Sequence, residues 1–125
     1  MKPLINKTKI VKKGWGYELW IINNEKYCGK SLFFNENSKC SMHYHLKKEE
    51  TWLVHSGSFI LRYINGETAE VVEVDLKDNE SYTIPVGLPH QLETKTGGEI
   101  IEISTEHFEN DSYRVWKGDS QTKDT

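Results

Sequence analysis

The stretch from Met42 to Gly57, MHYHLKKEETWLVHSG, decides the fold. His43 and His45 stand two apart among strand-forming residues, and in a strand the side chains at i and i+2 point to the same face. Two imidazoles therefore share one direction. Glu50 follows after enough chain for a tight turn, so the next strand returns a carboxylate toward them, and Gly57 closes the turn after that. Downstream, IPVGLPHQLET from Ile84 to Thr94 supplies Pro85, Gly87 and His90, a rigid turn that delivers a third imidazole.

Outward from these two segments, short runs rich in Val, Ile, Tyr, Phe and Thr alternate with Asn, Gly, Asp and Ser clusters, the pattern of many short strands joined by turns. The predicted strands are Tyr17 to Ile22, Tyr27 to Asn35, Ser41 to His45, Thr51 to His55, Phe59 to Ile64, Glu70 to Val74, Ser81 to Pro85, His90 to Thr94 and Glu99 to Thr105. Asn65-Gly66 predicts a hairpin with a type I′ turn, which needs positive φ at both central residues. HFENDSYRVW is the one candidate for a helix longer than two turns, and the polar tail, about 117–125, is expected to be loose. An all-β jelly-roll barrel or sandwich buries one face of each strand and limits open edges. The whole chain reads as a single domain with its barrel core at about 11–106.

With 36% hydrophobic and 28% charged residues, four Trp, six Tyr and four Phe, the 125-residue chain can build an ordinary core. A net charge of −3 with scattered basic residues gives no footprint for nucleic acid or an anionic membrane. The pairs Lys12-Lys13 and Lys47-Lys48 are expected on the solvated surface. MKPLINKTKIVKKG lacks the apolar stretch of a signal peptide, and no run is long enough to span a bilayer, so a cytoplasmic location is expected. Cys28 and Cys40 are too few for a disulfide framework and are expected reduced.

Three imidazoles and a carboxylate suit a borderline divalent transition metal such as Fe, Mn, Ni, Co or Zn better than Ca or Mg, which prefer all-oxygen shells. His43, His45, Glu50 and His90 are the expected ligands. A six-coordinate ion on four protein ligands keeps two positions for water or substrate. A lone HxH in a strand is commonplace; HxHx4Ex6G combined with PxGxxH is not.

These two segments resemble the two motifs of the cupin superfamily, with Asn37 where the first motif usually opens on Gly and Thr94 where the second often ends on Asn. From Val11 to about Arg114 the chain further resembles the type II mannose-6-phosphate isomerase domain. The resemblance runs through Trp15, Gly16 and Tyr17; through KKEETW, with Lys48 in place of the family's Arg; through DNESYTIPVGLPHQLE; and through IIEIS followed by ENDSYR. It implies aldose–ketose isomerisation of a sugar or sugar phosphate, in which a metal grips the carbonyl and adjacent hydroxyl oxygens while a base moves a proton between neighbouring carbons.

The candidate bases are Glu102, Lys30 and Glu49. Glu102 lies between Ile101 and Ile103, facing either the cavity or solvent, and the preference of carboxylates for water favours solvent. Lys30 falls where the isomerase-like family carries a strand Lys, a position equally compatible with solvation. Arg114 matches the family's closing Arg and is the preferred phosphate clamp over Arg62, which sits near a hairpin. Trp52 shares parity with Glu50 and is a candidate pocket wall for a sugar ring. His55 and His107, outside both motifs, are expected to be surface or structural. Two other classes fit the same ligands: a non-haem Fe(II) dioxygenase, and a non-catalytic sugar-binding module. A homodimer is expected as a remedy for open sheet edges.

Overall fold

The computed structural model describes residues 1–122. Twelve strands follow in chain order: β1 (Lys9–Lys13), β2 (Gly16–Asn23), β3 (Cys28–Phe34), β4 (Ser38–Lys39), β5 (Met42–Tyr44), β6 (Glu50–Gly57), β7 (Ile60–Ile64), β8 (Val71–Asp75), β9 (Ser81–Ile84), β10 (His90–Thr94), β11 (Gly98–Ser104) and β12 (Tyr113–Trp116). A single helical turn, α1 (Asp119–Thr122), comes last. One sheet has the order β1-β2-β3-β11-β6-β9 and the other β12-β5-β10-β7-β8, with β4 beside β10. Every pairing is antiparallel. Two antiparallel sheets packed face to face give a jelly roll, the closure implied by the resemblance and one of the two that the strand pattern left open.

Alternation decides what each strand sends inward. In β6, Glu50, Trp52 and Val54 are buried between outward neighbours, and in β11 the inward set is Ile100, Glu102 and Ser104. Leu32, Phe34, Trp52, Val54, Leu61, Leu92 and Ile100 meet between the sheets, and Trp15 stacks on Phe34 with ring centroids 4.1 Å apart. Interstrand register aligns one row across the first sheet: Trp20 opposite Lys30, Lys30 opposite Glu102, Glu102 opposite Trp52, and Trp52 opposite Tyr82. A lysine and a carboxylate thus sit mid-row among aromatic rings.

Three expectations need correction. The β7–β8 hairpin forms, with Ile64 opposite Val71, but its loop is not a type I′ turn. Asn65 Oδ1 instead accepts the amides of Glu67 and Thr68 at 2.9 and 3.3 Å, and positive φ falls on Ala69, at 60°. An Asn side chain that mimics a backbone turn has outcompeted the tight hairpin. The HFENDSYRVW segment makes no long helix: Tyr113–Trp116 is a strand that covers the edge of β5, and Tyr113 stacks on Tyr44 at 5.3 Å. The tail is docked as far as it is described. Asp119, 4% exposed, accepts the Lys39 amide at 3.0 Å, and Ser120 Oγ accepts the Gly14 amide at 3.0 Å. Positions 123–125 of the expected loose tail lie outside the described residues.

The two departures from the cupin motifs have local reasons. Asn37 occupies φ 52°, a left-handed conformation that Asn tolerates better than most residues. Thr94 Oγ1 donates to Ser58 O at 2.6 Å and accepts the Gly97 amide at 3.0 Å, tying down the turn into β11.

Candidate metal centre and cavity

β5 carries His43, His45 follows directly after it, and β10 opens with His90, which pairs with His43 across the strands. One potential ligand atom from each of these three histidines lies within 4.8 Å of the others. Each ring is oriented by the same device. His43 Nδ1 lies 2.9 Å from Ser41 O, His45 Nδ1 2.6 Å from Asp111 O, and His90 Nδ1 2.8 Å from Leu88 O. A carbonyl can only accept, so each Nδ1 carries the proton and each Nε2 is left as an unprotonated donor, the tautomer a metal requires. The turn before His90 is tied to the first motif: Gly87, at φ 85°, donates its amide to His45 O at 2.7 Å.

Glu50 adjoins the cluster, with Oε2 3.4 Å from His45 Nε2 and Oε1 3.7 Å from His90 Nε2. Glu50 Oε2 and His90 Nε2 are buried and make no hydrogen bond. Glu50 Oε2 has the Lys48 ammonium as an ionic partner, whereas His90 Nε2 has no hydrogen bond; leaving a buried polar atom unpartnered is costly, and a cation beside both would satisfy it. Burial pushes the His43 and His90 imidazoles down to about 3, helped for His43 by the neighbouring His90 and His45, so both are neutral near pH 7. For Glu50, burial favours the neutral acid, but the Lys48 ammonium and the histidines outweigh it and hold the carboxyl below its ordinary value. The donor set therefore fits a divalent transition metal by chemistry and by its unmet valences.

Lys48 corrects the surface expectation: it is 5% exposed and lies inside the molecule. Its Nζ stands 3.2 Å from Glu50 Oε2, 3.3 Å from Glu102 Oε2 and 3.3 Å from His107 Nδ1. Burial alone would lower its pKa, but Glu102 and Glu50 reverse that and raise it. Glu102 is likewise inward, 4% exposed, while its apolar neighbour Ile103 is 64% exposed. A buried carboxylate beside an exposed isoleucine inverts the usual distribution, and the Lys48 ion pair compensates it. His107, expected to be surface or structural, lines the same cavity, and burial together with Lys30 and Lys48 lowers it to about 3.

The cavity has a volume of about 260 Å³. His43, His45, Glu50 and His90 line it together with Glu102, Lys48, His107, Trp52 and Arg114, and Lys13 and, from the C-terminal turn, Ser120 and Gln121 line it as well. Trp52 packs edge-on to His90 at 5.4 Å and has a buried Nε1 with no hydrogen bond. Arg114 lies on β12 directly opposite His43. Lys13, expected with Lys12 on the surface, is only half exposed. Lys30 does not line the cavity: its Nζ pairs with Glu18 at 3.6 Å and lies 4.1 Å from the centre of the Trp20 ring, and those two residues form the wall in front of it. Glu49 and His55 are exposed and stand away from the cavity. Arg62 pairs with Glu73 and Glu93.

The residues missed in the sequence are Lys48, His107, Glu18 and Asp111. Asp111 supplies the carbonyl that orients His45, and its carboxylate accepts the amides of Leu46, Lys47 and Lys48 at 2.8 to 3.2 Å. It shapes the loop between the second histidine and Glu50. Strand parity offered a signal for Glu18, two residues before Trp20; Lys48 lies in the loop before β6, where parity gives none. Asp111 and His107 belong to an irregular segment where periodicity says nothing.

Among the described residues no helix is long and apolar enough to cross a membrane. Compared with known proteins, residues 3–116 match the family model described as mannose-6-phosphate isomerase C-terminal. A mannose-1-phosphate guanylyltransferase from Sinorhizobium fredii is 30% identical over 109 residues, covering 81% of this chain but only 19% of that protein. The capsular polysaccharide assembling protein CapF from Staphylococcus aureus superposes with a TM-score of 0.77 at 22% identity, over 89% of this chain and 32% of that one. Oxalate decarboxylase from Bacillus subtilis superposes at 0.74 with 19% identity, over 86% and 30%; it is a protein with Mn(II) centres. This chain thus spans a fifth to a third of the length of those proteins. With the two motifs, the jelly roll and a family match that runs nearly end to end, the chain belongs to the mannose-6-phosphate isomerase C-terminal family and has the cupin fold.

Proposed function

We propose that this chain is a metal-dependent isomerase acting on the aldose and ketose forms of a small sugar or sugar phosphate. The observation that carries the reading is the juxtaposition, in one small cavity, of three converging imidazoles with a buried carboxylate that is not part of their cluster. His43, His45, His90 and Glu50 would hold the ion, which when bound supplies Lewis-acid polarisation of a carbonyl and its neighbouring hydroxyl.

The chain's own residues would do the rest. Glu102, which lines the cavity, would take a proton from one carbon and return it to the next, since a general base must lie within reach of the substrate. Lys48, 3.3 Å away, fixes the orientation of that carboxylate and is itself steadied by His107. The free Nε1 of Trp52 offers a donor to a sugar hydroxyl, and the ring offers a flat apolar face. Arg114, at the opening, is suited to grip a phosphate through its planar fork. Lys30 acts behind the wall, through Glu18 and Trp20.

The test is elemental analysis of untagged protein and of His45→Ala and His90→Ala, followed by assays of hexose and pentose phosphates on metal-restored protein with and without O₂. About one ion per chain, lost in both variants, together with oxygen-independent interconversion of aldose and ketose, is expected. Product formation that requires O₂ would replace the reading with a dioxygenase, and metal binding without turnover would leave a binding module.

A further inference from the structure

We propose that His107 is a further catalytic residue of the cavity: its Nε2–H donates to a reacting sugar oxygen, and Lys48 holds the ring in that tautomer. The proposal rests on the isomerase reading above and adds to it a donor that is neither a metal ligand nor the base.

His107 lies in the irregular segment between β11 and β12, yet it is fixed to the frame of β2. The Asn23 side chain grips its backbone twice, accepting the His107 amide at 2.8 Å and donating to the His107 carbonyl at 3.0 Å. Its imidazole meets the Trp20 ring edge-on, with centroids 5.0 Å apart, and both residues line the cavity. A loop residue anchored through backbone and ring to one strand presents its side chain in a set direction.

The tautomer follows from its neighbour. An ammonium donates and has no lone pair, so Lys48 Nζ, 3.3 Å from His107 Nδ1, is the donor and Nδ1 the acceptor. Burial and the Lys30 and Lys48 charges lower the imidazole to about 3, so the ring is neutral and its one proton sits on Nε2. This reverses the pattern of His43, His45 and His90, whose Nδ1 atoms donate to backbone carbonyls. Three rings offer a lone pair from Nε2, and the fourth offers a hydrogen.

That hydrogen has no acceptor among the described residues. The contact of Nε2 with Glu109 Oε1 spans 3.9 Å, beyond hydrogen-bond reach, and the Glu109 side chain is 79% exposed. The Lys48 ammonium that holds His107 also stands 3.3 Å from Glu102 Oε2, so donor and base flank one residue. As Glu102 removes a proton from carbon, negative charge develops on the adjoining oxygen. A hydrogen bond from Nε2 stabilises that charge while the proton stays on the imidazole.

The experiment reads the tautomers first, by long-range proton–nitrogen correlation spectra of the metal-free full chain, with ring signals assigned by single substitutions. His107 is expected to be protonated on Nε2 and His43, His45 and His90 on Nδ1. Kinetics on metal-loaded protein follow. His107→Phe keeps a ring against Trp20 but has no donor; its kcat for mannose 6-phosphate isomerisation is expected to fall by about 10²–10³-fold, with KM and metal content little changed. His107→Gln, whose amide donates, is expected to recover part of the loss. An Nδ1-protonated or charged His107, or His107→Phe with the parent's kcat, would overturn the proposal. Should His107→Phe fail to fold or no sugar phosphate be turned over, the Nε2–H signal of zinc-loaded parent protein decides. A signal unmoved by added mannose 6-phosphate overturns the contact, whereas a shift without turnover keeps it and removes only the isomerase reading.

Discussion

Lys48 and Glu102 form a buried ion pair, Nζ to Oε2 3.3 Å, and the same ammonium stands 3.2 Å from Glu50. One cation therefore separates the candidate base from the candidate ligand carboxylate. Replacing it with a neutral side chain of similar length, Lys48→Met, leaves two buried carboxylates facing each other. Breaking a buried pair costs about 3–5 kcal/mol, so the urea midpoint of metal-free protein is expected to fall sharply. A midpoint within experimental error of the parent would show that the pair is not holding the loop before β6 to β11.

Glu102→Gln keeps the shape and one acceptor but cannot take up a proton. Turnover of the responsive sugar phosphate is expected to drop by about 10²–10⁴-fold with metal content unchanged. Retained activity would move the base elsewhere in the cavity.

Asp111 reaches the metal site without touching it. Asp111→Ala keeps the backbone carbonyl that orients His45 but removes the carboxylate that gathers the amides of Leu46, Lys47 and Lys48. Metal affinity is expected to fall by about 10–100-fold, as it does when a residue supporting a ligand is lost. Chelator competition against the parent protein checks it, and equal affinity would confine Asp111 to folding alone.

The histidines set a pH dependence whose sign follows from their environment. His43, His90 and His107 are each lowered to about 3 from an ordinary value of 6.5. Between those values the unfolded chain binds protons that the folded chain refuses, so stability is fully present above about pH 6.5 and declines as pH falls toward 3. Urea titrations of metal-free protein from pH 8 to pH 4 should show the midpoint falling below about pH 6.5. A midpoint that is flat down to pH 5 would contradict the neutral, buried imidazoles.

Much of this was legible in the sequence. All nine predicted strands form, because Val, Ile, Tyr and Phe runs bounded by turn residues encode strands locally, and the three histidines gather because i, i+2 parity and the Pro85-Gly87 turn are backbone facts. What escaped was side-chain direction wherever the hydrophobic pattern gave the wrong answer. Lys48 and Glu102 looked solvated because charge normally is, and their pairing, with Glu50 and His107 around the same ammonium, explains the burial. The strand at Tyr113–Trp116 was hidden because it forms on the open edge of β5, a contact between distant parts of the chain. The Asn65 turn was misread because a side-chain hydrogen bond competed with the backbone preference of Asn-Gly.

β11 holds one more consequence. Slipping this strand by a single residue would bury Ile101 and Ile103 and turn Glu102 to solvent, but it would also expose Ile100, so apolar burial alone favours the slip by about one isoleucine, at most roughly 1.5–3 kcal/mol. The native alignment is kept against that pull by the glycine contacts at its start and the ionic partners at its centre. Neutralising Glu102 or Lys48 would remove part of what opposes the slip, leaving a protein with the same fold but a second, better-greased alignment within reach, in which the cavity has lost one wall.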